Sequence, residues 1–142
     1  MVGGHAERGE FVPQFVQSRG LISLAERVAA KYTTNLNERA LELLRTLGLN
    51  DLESEVYVYL LSHPATTGYG IAKAIKRPTA NTYKAIESLA GRGAVLVEEG
   101  ENRLCRAVAV SDFIGHLQNS FERTTKEAEA ALSAIEAETD DE

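Results

Sequence analysis

Thr79, Asn81 and Thr82 stand among Lys76, Arg77 and Lys84 in the stretch KRPTANTYKAIESLAGRG, residues 76–93. Short amides and hydroxyls beside cations are the side chains that read base edges and hold phosphate. An Asn amide both donates and accepts, which is the pattern adenine presents in the major groove. Lys84 and Arg77 carry the charge to neutralise a phosphate backbone. Such chemistry needs the polar residues on the first turn of a helix, where free N–H groups and the helix dipole also favour an anion. Pro78 suits a first turn, because the N–H it lacks has no helical partner there. Tyr83, Ile86 and Leu89 follow at helical spacing and predict a buried stripe. The stretch therefore reads as a helix over about residues 78–90, polar at its start and anchored by Tyr83, Ile86 and Leu89 in the core. Thr79 fits a capping role equally well, and the basic residues also fit an ordinary solvated face.

Other chemistries find little support. Gly68-Tyr69-Gly70 lacks the strand, spacing and Lys of a phosphate loop. No Ser, Cys or Lys nucleophile has a motif around it. His5, His63 and His116 are scattered, the lone Cys105 cannot make an internal disulfide, and no thiol or His cluster has zinc spacing. No catalytic site, metal or cofactor is expected. No apolar run approaches the ~20 residues that span a bilayer, and no basic-then-apolar leader marks a signal peptide, so the expected location is the cytoplasm, with no membrane partner.

A chain of 142 residues, 44% hydrophobic and 25% charged, has room for one ordinary globular core. Its net charge of −6 is unevenly spread. Between Pro64 and Arg106, seven basic residues face four acidic ones, giving +3 and leaving −9 for the remainder. Local field steers a polyanion more than net charge does, and the positive charge gathers around the helix just described.

The rest of the chain supplies the setting for that helix. Residues 1–17 read as a loosely packed leader. Leu21, Leu24, Ala25, Val28 and Tyr32 predict an amphipathic helix. Asn35 with Glu38 resembles a capping box that opens a second helix ending at Gly48, and Asn50 with Glu53 repeats the signal for a third, with Val56, Tyr57, Leu60 and Leu61 on its apolar face. Thr66 or Thr67 can cap a short helix through Ile75, and Lys76-Arg77 turns into the helix at Pro78. Val95–Glu99 and Leu104–Ala109 flank Gly100-Glu101-Asn102 as a hairpin. Ser111 opens a last helix towards Glu138. The fold class is mainly α with a small β-hairpin: a winged helix-turn-helix, with an N-terminal and a long C-terminal flanking helix. Its divisions are a leader (1–35), the winged domain (36–110) and a C-terminal dimerisation helix with an acidic tail (111–142). In this arrangement the second helix of the pair enters the major groove. Arg103 and Arg106 can add phosphate contacts from the hairpin, whose Glu-rich tip would itself repel phosphate.

The segments LGLNDLESEVYVYLL, IAKAI and PTANTYKAIESLAGRGAVLVEEG resemble the DNA-binding domain of the TrmB-type transcriptional regulators. Leu47, Gly48, Leu49, Glu53, Val56, Tyr57 and Leu60 match that family's opening pattern. Pro78, Tyr83, Ile86, Leu89 and Gly93 match its recognition helix. The resemblance covers roughly residues 41–113, and parts of it are shared with MarR-like regulators. It implies a sequence-specific DNA-binding regulator that dimerises on double-stranded DNA. Family members often carry a Gly and an apolar residue where this chain has Lys76 and Arg77, which changes the turn and adds charge. Larger members continue into a sugar-binding domain that would begin where this sequence ends, so a one-domain member and a fragment both remain open, and no effector is indicated.

After Ser111, Ile114, Leu117, Phe121, Thr125, Ala128, Leu132 and Ile135 recur at steps of three and four, close to a coiled-coil seam. Ile114, Leu117, Phe121, Ala128, Leu132 and Ile135 are the expected dimerisation residues, since a two-fold dimer reads a palindrome where a monomer reads half of it. The alternative is a helix folded back on its own domain. The N-terminal helix suits either a partner subunit or the tail. The rival function is a winged-helix module for protein–protein assembly without DNA, which would bury the polar helix against a partner.

Overall fold

Ser23 opens the first helix in the computed structural model, which describes residues 23–140. Helix α1 (Leu24–Thr46) starts with a complete capping box: Ser23 Oγ accepts from the Glu26 N–H at 3.1 Å, and the Glu26 carboxylate accepts from the Ser23 N–H at 3.3 Å. The expected break between two helices near Asn35 does not occur. Asn35 and Glu38 lie inside a single helix that runs through residues 35 and 36 without interruption. No Gly or Pro interrupts that stretch, and the Thr33 and Thr34 hydroxyls donate back to the carbonyls of Ala29 and Ala30 at 3.1 and 3.0 Å. Residues 1–22, with the expected leader over 1–17 and Leu21, fall outside the described residues. Gly48 ends the helix as expected, at φ 108°, and the Leu49 N–H reaches the Leu44 carbonyl at 3.0 Å.

Helix α2 (Asp51–Leu61) begins at the second expected box, with both legs made: Glu53 N–H to Asn50 Oδ1 at 2.7 Å, and Asn50 N–H to the Glu53 carboxylate at 2.9 Å. The chain divides into two compact units after Ser54. In the first, Leu44 and Leu49 are buried, as are Glu53 and Ser54, whose polar atoms bond to Asn50.

The second unit holds the winged helix-turn-helix. Strand β1 (Thr66–Thr67) leads into α3 (Gly68–Ile75), then α4 (Thr79–Gly91), β2 (Val95–Val97), β3 (Leu104–Ala107) and α5 (Val110–Asp140). The sheet is antiparallel in the order β1-β3-β2, with Thr66 opposite Cys105 and Leu96 opposite Arg106. Two residues carry no alternation, so the sequence pattern did not announce β1. Val56, Ile71, Leu89, Val95 and Phe113 are fully buried. Tyr57 and Phe113 stack obliquely, ring centroids 4.9 Å apart, and the Tyr57 hydroxyl donates to the Val108 carbonyl at 3.2 Å. Gly93, at φ 80°, ends the turn after α4 beneath the His116 ring, where a Cβ would come within 2.9 Å of His116 Cγ. Helix α5 is 31 residues long, about 46 Å. Its buried residue is Phe113, and it is exposed from Gln118 onward. No described helix is long and apolar enough to cross a membrane.

Candidate nucleic-acid interface

The turn between α3 and α4 contains one residue, Lys76, that normally avoids its geometry. Thr67 caps α3 by accepting from the Gly70 N–H at 3.0 Å, and α3 ends on Lys76 in the left-handed conformation, φ 60° and ψ 50°. Lys76 thus takes the backbone role a Gly fills at many helix ends, and its side chain is exposed. Arg77 follows, and its guanidinium makes a two-pronged pair with Glu55 of α2, Nε to Oε1 at 3.2 Å and Nη2 to Oε2. The expectation that Arg77 is a free phosphate contact is corrected accordingly: the side chain is half-buried and its fork is occupied by a carboxylate. Glu55 lies 22 positions earlier, and no local pattern in the sequence pointed to it.

Pro78 precedes the first turn of α4 and makes no side-chain capping bond, so the leading N–H groups of the helix are left without an intrachain side-chain partner. Thr79 is inside the helix and partly exposed, which removes its capping alternative. Asn81 and Lys84 are exposed on the outer face, one turn apart. Thr82, Ala85, Ile86 and Leu89 are buried on the inner face.

Two expectations on this helix are corrected. Thr82 has no exposed surface, and its hydroxyl donates to the Pro78 carbonyl at 2.9 Å, so it cannot present itself to a base. Tyr83 was expected in the core but is 48% exposed. Its ring edge lies against Gly68, where a Cβ would sit 2.8 Å from Cδ1. Thr82 and Tyr83 are adjacent, and it is the smaller residue that is buried. The one-turn hydrogen bond to Pro78 satisfies that hydroxyl.

The hairpin contributes Arg103 and Arg106. Arg106 Nε lies 3.4 Å from Glu98 Oε2, with both side chains about half exposed, a pairing of little energetic weight. Arg103 is exposed beside the buried Cys105. Lys76, Lys84 and Arg103 have no carboxylate within 4.0 Å among the described residues.

This arrangement of α3, a tight turn, α4 and a hairpin coincides with the segment matched by a family model. The model described as "Sugar-specific transcriptional regulator TrmB" covers residues 44–111. That segment is similar to a TrmB-type domain. A solved structure of TrmBL2, an archaeal chromatin protein shown with a novel mode of DNA binding, matches at a TM-score of 0.61 and 28% identity, over 70% of this chain and 39% of that one. The uncharacterized protein YrhO of Bacillus subtilis (strain 168) is 29% identical over 106 residues, 75% of this chain and 38% of that protein. The chain spans less than two fifths of the length of either relative. Within the matched segment, Lys76 and Arg77 occupy the turn, and Lys76 takes the left-handed conformation there.

Proposed function

We propose that this chain is a sequence-specific DNA-binding transcriptional regulator that acts as a homodimer, with α4 in the major groove. The observation that carries the reading is the division of α4 into two faces. Asn81 and Lys84 are exposed beside an uncapped helix start, while Thr82, Ala85, Ile86 and Leu89 fix the helix to its own core. Asn81 would read a base; Lys84, Lys76 and Arg103 would hold the backbone, and Thr79 and Arg106 lie at the margin of that surface. Arg77 serves chiefly to position the turn through Glu55. The DNA binding described for TrmBL2 supports DNA as the partner.

The homodimer rests on α5. Phe121, Leu132 and Ile135 are 72%, 63% and 61% exposed, large apolar side chains that repeat along one helix. Ala128 lies in the same seam and is exposed, whereas Ile114 and Leu117, nearer the core, are partly covered.

A second reading has one observation in its favour. Tyr69, Tyr83 and Leu96 are about half exposed beside α4, a feature of a surface that docks a protein. Titrating labelled duplex from upstream of the chain's own gene, at several salt concentrations, separates the two. Binding that weakens steeply with salt and prefers that duplex over random sequence supports the regulator. Absence of binding at low salt would leave the assembly module.

A further inference from the structure

Between α4 and the hairpin lies an open-sided cleft of about 930 Å³, within the size range of small-molecule sites. Its walls are aromatic and apolar: Tyr69 from α3, Tyr83 from α4 and Leu96 from β2, all about half exposed. Ile86 and Cys105 line it from the core side and are buried. Burial pushes the Cys105 thiol pKa up, so that side is uncharged at neutral pH. The rim carries Glu87, Glu99 and Glu101 against Arg103, and Lys73 Nζ stands 5.6 Å from the centroid of the Tyr69 ring. None of these three carboxylates has a basic partner within 4.0 Å among the described residues.

The charge narrows the occupant. Three carboxylates disfavour an anion, and an uncharged apolar ligand would draw nothing from them. A bare metal ion is disfavoured because no cluster of three ligating side chains exists among the described residues. An organic cation with an apolar body satisfies every wall at once. Its body buries against Leu96, Ile86 and the Tyr69 ring, which Lys73 Nζ already overlies at 5.6 Å, its charge lies near Tyr83, and the carboxylates supply long-range attraction. We propose that this cleft binds a small lipophilic organic cation of the quaternary ammonium or phosphonium type. The binding does not depend on whether α4 contacts DNA, and is measured without DNA.

The test is calorimetric titration of the full chain with tetraphenylphosphonium, and with tetraphenylborate as an anion of the same shape. The cation is expected to bind one per chain at low salt and at least tenfold more tightly than the anion. The triple variant Glu87→Gln, Glu99→Gln, Glu101→Gln changes only exposed side chains, and its fold is checked by thermal melting. It should weaken cation binding at least tenfold, and Tyr83→Ala should weaken it as well. Equal affinity for the two ions, a triple variant that binds the cation as tightly as the parent, or no binding at millimolar cation would each overturn the proposal.

Discussion

Gly68 and Tyr83 are fitted to one another across the α3–α4 pair: the Tyr83 ring edge occupies the space a Cβ on residue 68 would need. The absence of a side chain at Gly68 is what lets the ring edge come this close to α3, and Tyr83 also lines the cleft. A double-mutant cycle measures this fit. Gly68→Ala should be more damaging with Tyr83 present than in a Tyr83→Ala background, with an interaction energy of about 1 kcal/mol. Strictly additive effects in chemical denaturation would contradict the contact.

Lys76 holds the left-handed turn at a cost. That conformation disfavours an L-residue by roughly 1–2 kcal/mol, part of which a Gly returns through its greater freedom in the unfolded chain. Lys76→Gly should therefore stabilise the protein by about 0.5 kcal/mol, seen as a small rise in Tm, whereas Lys76→Ala should not. Destabilisation by the Gly variant would mean that the Lys side chain makes a compensating contact.

Stability should fall in alkali. Burial raises the pKa of Cys105 above its ordinary 9.0 and that of Tyr57 above its ordinary 10.0. The folded chain therefore keeps these protons at pH values where the unfolded chain has lost them, so the unfolded state binds fewer protons and stability declines as pH rises. The loss begins near pH 9.0 with the thiol, deepens past 10.0 with the phenol, and is absent below both. Tyr57→Phe should flatten the later part of the decline, although it forfeits the bond to Val108, worth about 1 kcal/mol. Urea melts of parent and variant between about pH 8 and pH 11 follow both effects.

Charge placed in the α5 stripe should dissociate the proposed dimer. Phe121 and Leu132 are exposed in the single chain, so replacing either with Glu costs little in the monomer but strands an unpaired charge in a paired seam. Light scattering should report a dimer for the parent and a monomer for Phe121→Glu/Leu132→Glu, with similar Tm for the winged domain. A parent that is monomeric at micromolar concentration would refute the seam.

Much of this fold was legible because its signals are local. Asn50 and Glu53 made the box they predicted, Gly48 ended α1, and Pro78 and Gly93 bracketed α4. The same kind of signal misled at Asn35 and Glu38, where a capping pair sits inside a run with no helix breaker, and continuous backbone bonding prevails. Periodicity assigned Ile86 and Leu89 inward correctly but put Tyr83 with them, because a stripe of period three to four is wider than the buried face. What decided between Thr82 and Tyr83 was the contact with Gly68 and the bond to Pro78, one of them tertiary and neither visible in spacing. The Arg77–Glu55 pair and the pairing of β1 with β3 were hidden for the same reason: each joins residues remote in sequence.

Asn81 and Lys84 offer the most direct measurement, since one would read a base and the other only charge. Asn81→Ala and Lys84→Ala should be titrated against a duplex selected for tight binding and against random duplex, across a range of salt. Asn81→Ala should cost about 1–3 kcal/mol on the selected site, relax its preference at one base pair, and leave random duplex unaffected. Lys84→Ala should weaken both duplexes alike and make the salt dependence shallower by about one unit. Equal, small losses for both variants on every duplex would contradict base reading by α4 and leave nonspecific charge as its only chemistry with DNA.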